Sequence, residues 1–214
     1  YVIAVATDGP LPVSSLPILD LNDAAAIAEF ILRQVRTLAR DDVATGYTIR
    51  PAQPEDAPRL PDIERDGAEA FRAFGMTAVA ELPPATAEQY RAPIEAGRVW
   101  VAVDASGEVV GFAEVSLVDG RPHLAEIDVL RAHRRRGVGR SLIAAVAAWA
   151  REAGYAELTL TTFRDVPMNG PLYARLGFVP LRPGLDRPEL AAIRDAEHRS
   201  GVETSPRIAM RLVL

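Results

Sequence analysis

The sequence predicts an α/β fold built on a mixed sheet, and three observations carry that expectation. Residues 98–130 hold apolar, strand-like runs separated by turn residues ("RVWVAVD", "VVGFAEVSLVDG", "RPHLAEIDVL"), the pattern of antiparallel hairpins. A turn rich in arginine and glycine, Arg131–Arg140 ("RAHRRRGVGR"), then leads into a long alanine-rich helical pattern, "SLIAAVAAWAREAG". After that helix the chain alternates strand and helix, as a β–α–β arrangement requires.

Taken in order, Val2–Thr7 reads as a strand that "DGPLP" breaks. Asn22 or Asp23 can cap a helix reaching about Leu38, with Ala25, Ile27, Phe30, Ile31 and Val35 as its apolar side. This βα unit is too small to hold a core alone. "ARDDVATG" reads as a linker, so residues 1–45 form an N-terminal extension or fusion remnant and residues 46–214 the main domain. Tyr47–Arg50 is a strand, and "PAQPEDAPRL" opens a helix carrying Leu60, Ile63 and Phe71. A second helix, "TAEQYRAPIEAG", has Thr86 as cap, Gln89 completing a capping box, and Gly97 as its stop. "ASGE" is a hairpin turn between the next two strands. The long helix presents Leu142, Ile143, Val146, Trp149 and Ala150 on one side and stops at Gly154. "AELTLTTF" alternates as a half-buried strand does, "MNGPLYARLG" is a short helix, and "FVPL" and "RIAMRLVL" are strands with a helix at Arg187–His198 between them.

Composition narrows the function. With 49% hydrophobic and 25% charged residues the chain is an ordinary globular protein, and no apolar run is long enough to span a membrane. The stretch "YVIAVATDGP" has no basic leader and too short an apolar run for a signal peptide, so a cytoplasmic location is expected, with the true start upstream. The absence of cysteine excludes disulfides, thiolate metal sites and a cysteine nucleophile. His123, His133 and His198 are too scattered to suggest a metal site. A net charge of −5 argues against nucleic acid as a partner. On this acidic chain, whose 24 basic residues are all arginine, the Arg131–Arg140 cluster stands out as a local positive spot.

A strand that passes into a helix through glycines leaves backbone N–H groups at the helix start, where the helix dipole favours an anion. Gly137 and Gly139 let a ligand approach the backbone, and the arginines suggest more than one phosphate. The dinucleotide fingerprint fails because its third glycine position is Leu142, and a Walker A loop fails for want of lysine. Arg134-x-x-Gly137-x-Gly139 remains.

That turn resembles the R/Q-x-x-G-x-G/A turn of the GNAT superfamily of N-acetyltransferases, and "NGPLYARLGF" (Asn169–Phe178) resembles the later Asn and Tyr-x-x-x-Gly-Phe segment of the same family. The resemblance covers about Gly46 to Leu214. It implies a mixed central sheet with splayed central strands flanked by helices, and acetyl-coenzyme A as co-substrate. It implies that the pyrophosphate binds over Arg134, Arg135, Arg136, Gly137, Val138, Gly139, Arg140 and Ser141, that the pantetheine arm pairs with the strand Ile127, Asp128, Val129, Leu130, and that Asn169 contacts the cofactor. It also implies a homodimer as a possible assembly. Residues 1–45 faintly resemble the C-terminal end of a molybdopterin-guanine dinucleotide biosynthesis protein of the P-loop class, without its nucleotide loop.

An alkyl ammonium must lose a proton before it can attack a thioester, and its pKa of about 10.4 makes a nearby base useful. Glu126, on the strand leading to the turn, is the candidate base. Backbone N–H groups near Val129 and Leu130 are candidates to stabilise the oxyanion. Tyr173 matches the family tyrosine that protonates the leaving thiolate. Glu64, Phe71, Phe74 and Met76 are candidates to line the acceptor pocket. Taken alone, each has a plainer reading: Phe71 and Phe74 as core, Tyr173 as a core tyrosine, Glu126 as an outward strand residue and Asn169 as a helix cap. The expected activity is transfer of an acetyl group to a primary amine of a small molecule. The alternatives are acetylation of a protein N-terminus or side chain, and a non-catalytic acyl-coenzyme A sensor.

Overall fold

The computed structural model describes residues 44–200 and 205–214, so the expected Val2–Thr7 strand, the helix to Leu38 and the P-loop likeness lie outside the described residues. The strands are β1 (Tyr47–Pro51), β2 (Val99–Asp104), β3 (Val109–Val118), β4 (Arg121–Val129), β5 (Glu157–Phe163), β6 (Val179–Leu181) and β7 (Arg207–Val213). The α-helices are α1 (Leu60–Glu69), α2 (Thr77–Ala80), α3 (Ala87–Glu95), α4 (Val138–Glu152), α5 (Gly170–Arg175) and α6 (Pro188–Arg199). Among the described residues all seven strands join one sheet in the order β1-β2-β3-β4-β5-β7-β6.

β1 to β4 form an antiparallel meander whose turns follow local chemistry. Between β2 and β3, Asp104 Oδ1 accepts hydrogen bonds from the N–H groups of Ser106 and Glu108. Between β3 and β4, Asp119 and Gly120 both take positive φ (53° and 67°), as a two-residue hairpin of matching twist requires. A register shift falls between Glu114 and Val115, so Glu126 faces Glu114 whereas Leu124 faces Val115.

The meander meets the rest of the sheet at one place. β4 and β5 run parallel and pair only at His123↔Thr159, while β5 pairs with β7 along its length. The two central strands therefore part beyond Thr159 and leave an opening between their C-terminal ends.

Helices cover both faces. Leu142, Ile143, Val146 and Ala147 of α4 pack on Ile127, Val129, Leu158 and Leu160. On the opposite face Leu60 and Ile63 of α1 and Tyr90 and Ile94 of α3 pack on Val99, Val101 and Phe112. The capping box at Thr86 and Gln89 forms as expected.

Three features depart from the sequence expectation. The segment at Pro54 begins as a 3-10 turn, Pro54–Arg59, before α1, and α2 was not foreseen. β5 is buried on both faces, because its threonine face is covered as well: Thr161 donates to Glu197 of α6, and Thr159 bonds His123. The expected linker ends inside the core, since Ala44 is buried and its N–H donates to Ser141 Oγ at 3.2 Å.

Candidate active site

Side chains alternate along β4. Ile127 and Val129 point into the core beneath α4, and Glu126 and Asp128 emerge on the other face, beneath α1. The approach of α1 is close: a Cβ at Gly67 would lie 1.9 Å from Asp128 Oδ1. Only glycine lets the helix rest on that carboxyl. Asp128 is fully buried, and neither of its oxygens has an N–H partner. Burial holds its carboxyl well above the usual range, the negative Glu126 and Glu64 push the same way, and Arg134 opposes them.

Two more carboxyls surround this pair. Glu114 lies across the ladder from Glu126, and burial raises its pKa. Glu64, one turn before Gly67 on α1, accepts from the Tyr90 hydroxyl at 2.6 Å and the Ala85 N–H at 2.9 Å. Glu64 is thus tied into the wall of the site. Phe71 belongs to the core rather than to a pocket: it is fully buried against Phe163, with ring centroids 5.5 Å apart, and Met76 is buried in the same cluster. Phe74 is exposed.

The arginine–glycine turn has the backbone of an anion site. Arg135 (φ 61°) and Gly137 (φ 82°) are left-handed on either side of Arg136, an alternation of hand that turns successive N–H groups toward one side, just before the start of the fifteen-residue α4. Arg134 departs from its expected role as a phosphate ligand. Its guanidinium turns inward, with Nε donating to Val129 O at 2.8 Å and Nη2 to Asp66 O at 2.8 Å. It clamps the end of β4 to α1 and so shapes the turn without facing it. Arg135 and Arg136 are exposed, Arg140 is half-buried, and Val138 and Gly139 are buried. The Ser141 hydroxyl already accepts from Ala44.

The oxyanion expectation also needs one correction. The Leu130 N–H donates to Val110 O at 2.9 Å and is therefore spent on the sheet. By the alternation of an antiparallel ladder, Ile127 directs its N–H and C=O, and Val129 its N–H, to the other side, toward the opening, while the Val129 carbonyl is held by Arg134.

α5 stands at the end of β5. Asn169 Nδ2 donates to Thr162 Oγ1 at 2.9 Å, and a Cβ at Gly170 would lie 2.4 Å from Arg164 O, so the Asn-Gly pair seats the helix against the strand end. Tyr173 is fully buried, edge-on to Phe178, and its hydroxyl has no hydrogen-bond partner. Burial, then Glu126 and Asp128, raise its pKa well above that of a free phenol, so the hydroxyl keeps its proton.

Among the described residues no group of histidines and carboxylates could hold a metal ion, and no helix is long and apolar enough to cross a membrane.

Residues 62–178, which run from α1 through the turn and α5, match the acetyltransferase (GNAT) family. The chain belongs to that family. It is 38% identical over 125 residues to aminoglycoside N(6')-acetyltransferase type 1 of Stenotrophomonas maltophilia, covering 54% of this chain and 75% of that one. It is 38% identical over 86 residues to streptothricin acetyltransferase of Streptomyces lavendulae, covering 38% and 44% of the two chains. The fold matches that of the PaiA N-acetyltransferase of Thermoplasma acidophilum in complex with coenzyme A, with a TM-score of 0.57 at 14% identity over 78% of this chain and 99% of that one. This GNAT acetyltransferase has the splayed β4 and β5 of the expected fold. Its fit to acetyl-coenzyme A rests on the nest at Arg135–Gly137 and the unpartnered Tyr173 hydroxyl.

Sequence points to Asp128 only as backbone beside the cofactor, and its buried side chain, Gly67 and Glu114 emerge as parts of the site only in the structure. Signals for two of them were present: a glycine inside a helical pattern, and a glutamate three residues after Gly111 that a hairpin register could bring opposite Glu126.

Proposed function

We propose that this chain transfers the acetyl group of acetyl-coenzyme A to the primary amine of a small molecule by direct attack. Tyr173 carries the reading: a fully buried phenol with no hydrogen-bond partner, lying in the field of Glu126 and Asp128. A buried hydroxyl left unsatisfied costs about 1–3 kcal/mol, and a bound partner removes that cost.

Bound acetyl-coenzyme A supplies a thioester carbonyl for acyl transfer. The backbone of Arg135–Gly137 and the start of α4 would hold the pyrophosphate, and the backbone groups of Ile127 and the Val129 N–H would align the pantetheine arm. Glu126 would take the proton of the incoming ammonium. Tyr173 would give its proton to the departing sulfur. No covalent enzyme intermediate is required, in keeping with a chain without cysteine. The carboxyls Glu64, Glu114 and Glu126 on one face favour a cationic acceptor over a neutral one, and relatives named for aminoglycoside and streptothricin support a small-molecule acceptor.

Thiol release from acetyl-coenzyme A across a panel of small amines and peptide N-termini tests the reading. Turnover with polyamino small molecules supports it. Turnover with peptides alone replaces it with protein acetylation, and binding without thiol release replaces it with a sensor.

A further inference from the structure

We infer that Asp128 is a positioning residue, which carries a proton at neutral pH and donates it as a hydrogen bond to Glu126, holding that carboxylate in place as the base. The inference rests on the reading of Glu126 given above. Three geometric facts support it. Asp128 and Glu126 are two apart on one strand and so share a face, with Asp128 wholly enclosed. α1 closes over Asp128 at Gly67 with no side chain between, so neither solvent nor an N–H group reaches its oxygens. An ionised Asp128 would therefore stand unbonded beside a second carboxylate. A protonated Asp128 becomes a donor, and Glu126 is the acid group that faces it.

The neighbouring charges agree. Glu126 stands on the same strand, Glu64 and Asp66 on α1, Glu114 on β3, Tyr90 on α3, Tyr173 on α5, and Arg134 in the turn after β4. Arg134 is the cation felt by Asp128, and it is engaged by Asp66 and Val129 O. With Asp66 paired to Arg134, the cluster of Asp128, Glu126, Glu64 and Glu114 leaves a proton on the most deeply buried of the four. The arrangement also explains why the helix carries glycine at 67, since any side chain would displace the acid from beneath α1.

The test compares Asp128→Leu, close in shape but without a donor, with Asp128→Asn, which restores an N–H donor. In Asp128→Leu kcat should fall about 10–100-fold with little change in the KM for acetyl-coenzyme A, and the acidic limb of kcat/KM should move up by about one pH unit, because Glu126 has lost a bond that favours its anion. Asp128→Asn should recover most of the lost turnover and return the acidic limb toward wild type. The infrared carbonyl band of a protonated carboxylic acid should be present in wild type at neutral pH and absent from Asp128→Asn. A folded Asp128→Leu with wild-type kcat and pH profile overturns the inference, as does an Asp128→Asn enzyme without rescue. If Asp128→Leu does not fold, the infrared band decides alone, and its absence from wild type overturns the inference. Glu126→Gln is measured in parallel: wild-type turnover there removes the base and this inference with it, whereas a crippled Glu126→Gln beside an unaffected Asp128→Leu removes this inference only.

Discussion

Gly67→Ala is a single methyl group aimed at the tightest contact in the site. In the interior of an exposed helix, replacing glycine by alanine stabilises by about 1 kcal/mol. Here the new Cβ would meet Asp128 Oδ1 at 1.9 Å and Cγ at 2.5 Å, and the carboxyl is wholly enclosed, so making room for the methyl means moving its neighbours. Overpacking of this kind costs about 1–3 kcal/mol, and a clash with an enclosed acid belongs at the upper end. The net expectation is a loss of about 2 kcal/mol, or a Tm lower by roughly 4–8 °C in a chain of this size. In an Asp128→Ala background the three nearest atoms to the new Cβ are gone. There the same substitution should stabilise by the helix term alone, about 1 kcal/mol. The double-mutant cycle should therefore show a coupling of about 3 kcal/mol between positions 67 and 128. Urea unfolding of the four proteins, followed by the fluorescence of the paired Trp100 and Trp149, measures it. A Gly67→Ala protein as stable as wild type, or a coupling near zero, would refute the claim that α1 rests on the Asp128 carboxyl.

Three further outcomes are expected. Gly139→Glu should abolish acetyl-coenzyme A binding by calorimetry while the protein stays folded, since it sets bulk and negative charge at the start of α4; unchanged affinity would remove the pyrophosphate assignment. Tyr173→Phe should lower kcat by about 10²–10⁴ with little change in cofactor affinity, and wild-type turnover would place the acid elsewhere. His123, whose pKa burial lowers to about 4, is neutral in the folded state, so the unfolded chain alone takes up its proton as pH falls below about 6.5. Wild type should lose about 3 kcal/mol relative to His123→Gln between those two values and no more below them; equal acid stability of the two proteins would show that His123 protonates freely.

Much of the fold was legible because local chemistry and global topology agree at the decisive places. The hairpin turn at Gly107, the Thr86–Gln89 capping box and the stops at Gly97 and Gly154 each follow from one or two residues that only those geometries use. What the sequence could not reveal was which face of a strand is covered. β5 alternates leucine and threonine as a half-exposed strand would, yet Thr159 and Thr161 are buried because His123 and Glu197 satisfy their hydroxyls. Nothing within β5 encodes those partners, which lie 36 residues away in either direction.

The site divides along the same line. The turn and the α5 motif are contiguous in sequence, and their residues could be named one by one. The acid face assembles from α1, β3 and β4, whose contributions are separated by the lengths of a helix and a hairpin, and its meaning depends on a glycine that marks an approach rather than a turn. Arg134 shows how a motif depends on its surroundings: Arg134, Arg135, Arg136 and Arg140 were all expected at the phosphates, but the one the motif specifies points inward, its guanidinium bonded to Val129 O and Asp66. The positive charge that faces solvent at this turn includes Arg135 and Arg136, and in the proposed site the backbone between them and α4 would supply the donors. If Arg134 holds the shape of the turn, then its loss should loosen β4 from α1 and disturb Asp128 as much as the proposed anion site, so the arginine–glycine turn and the acid pair are two ends of one clamp.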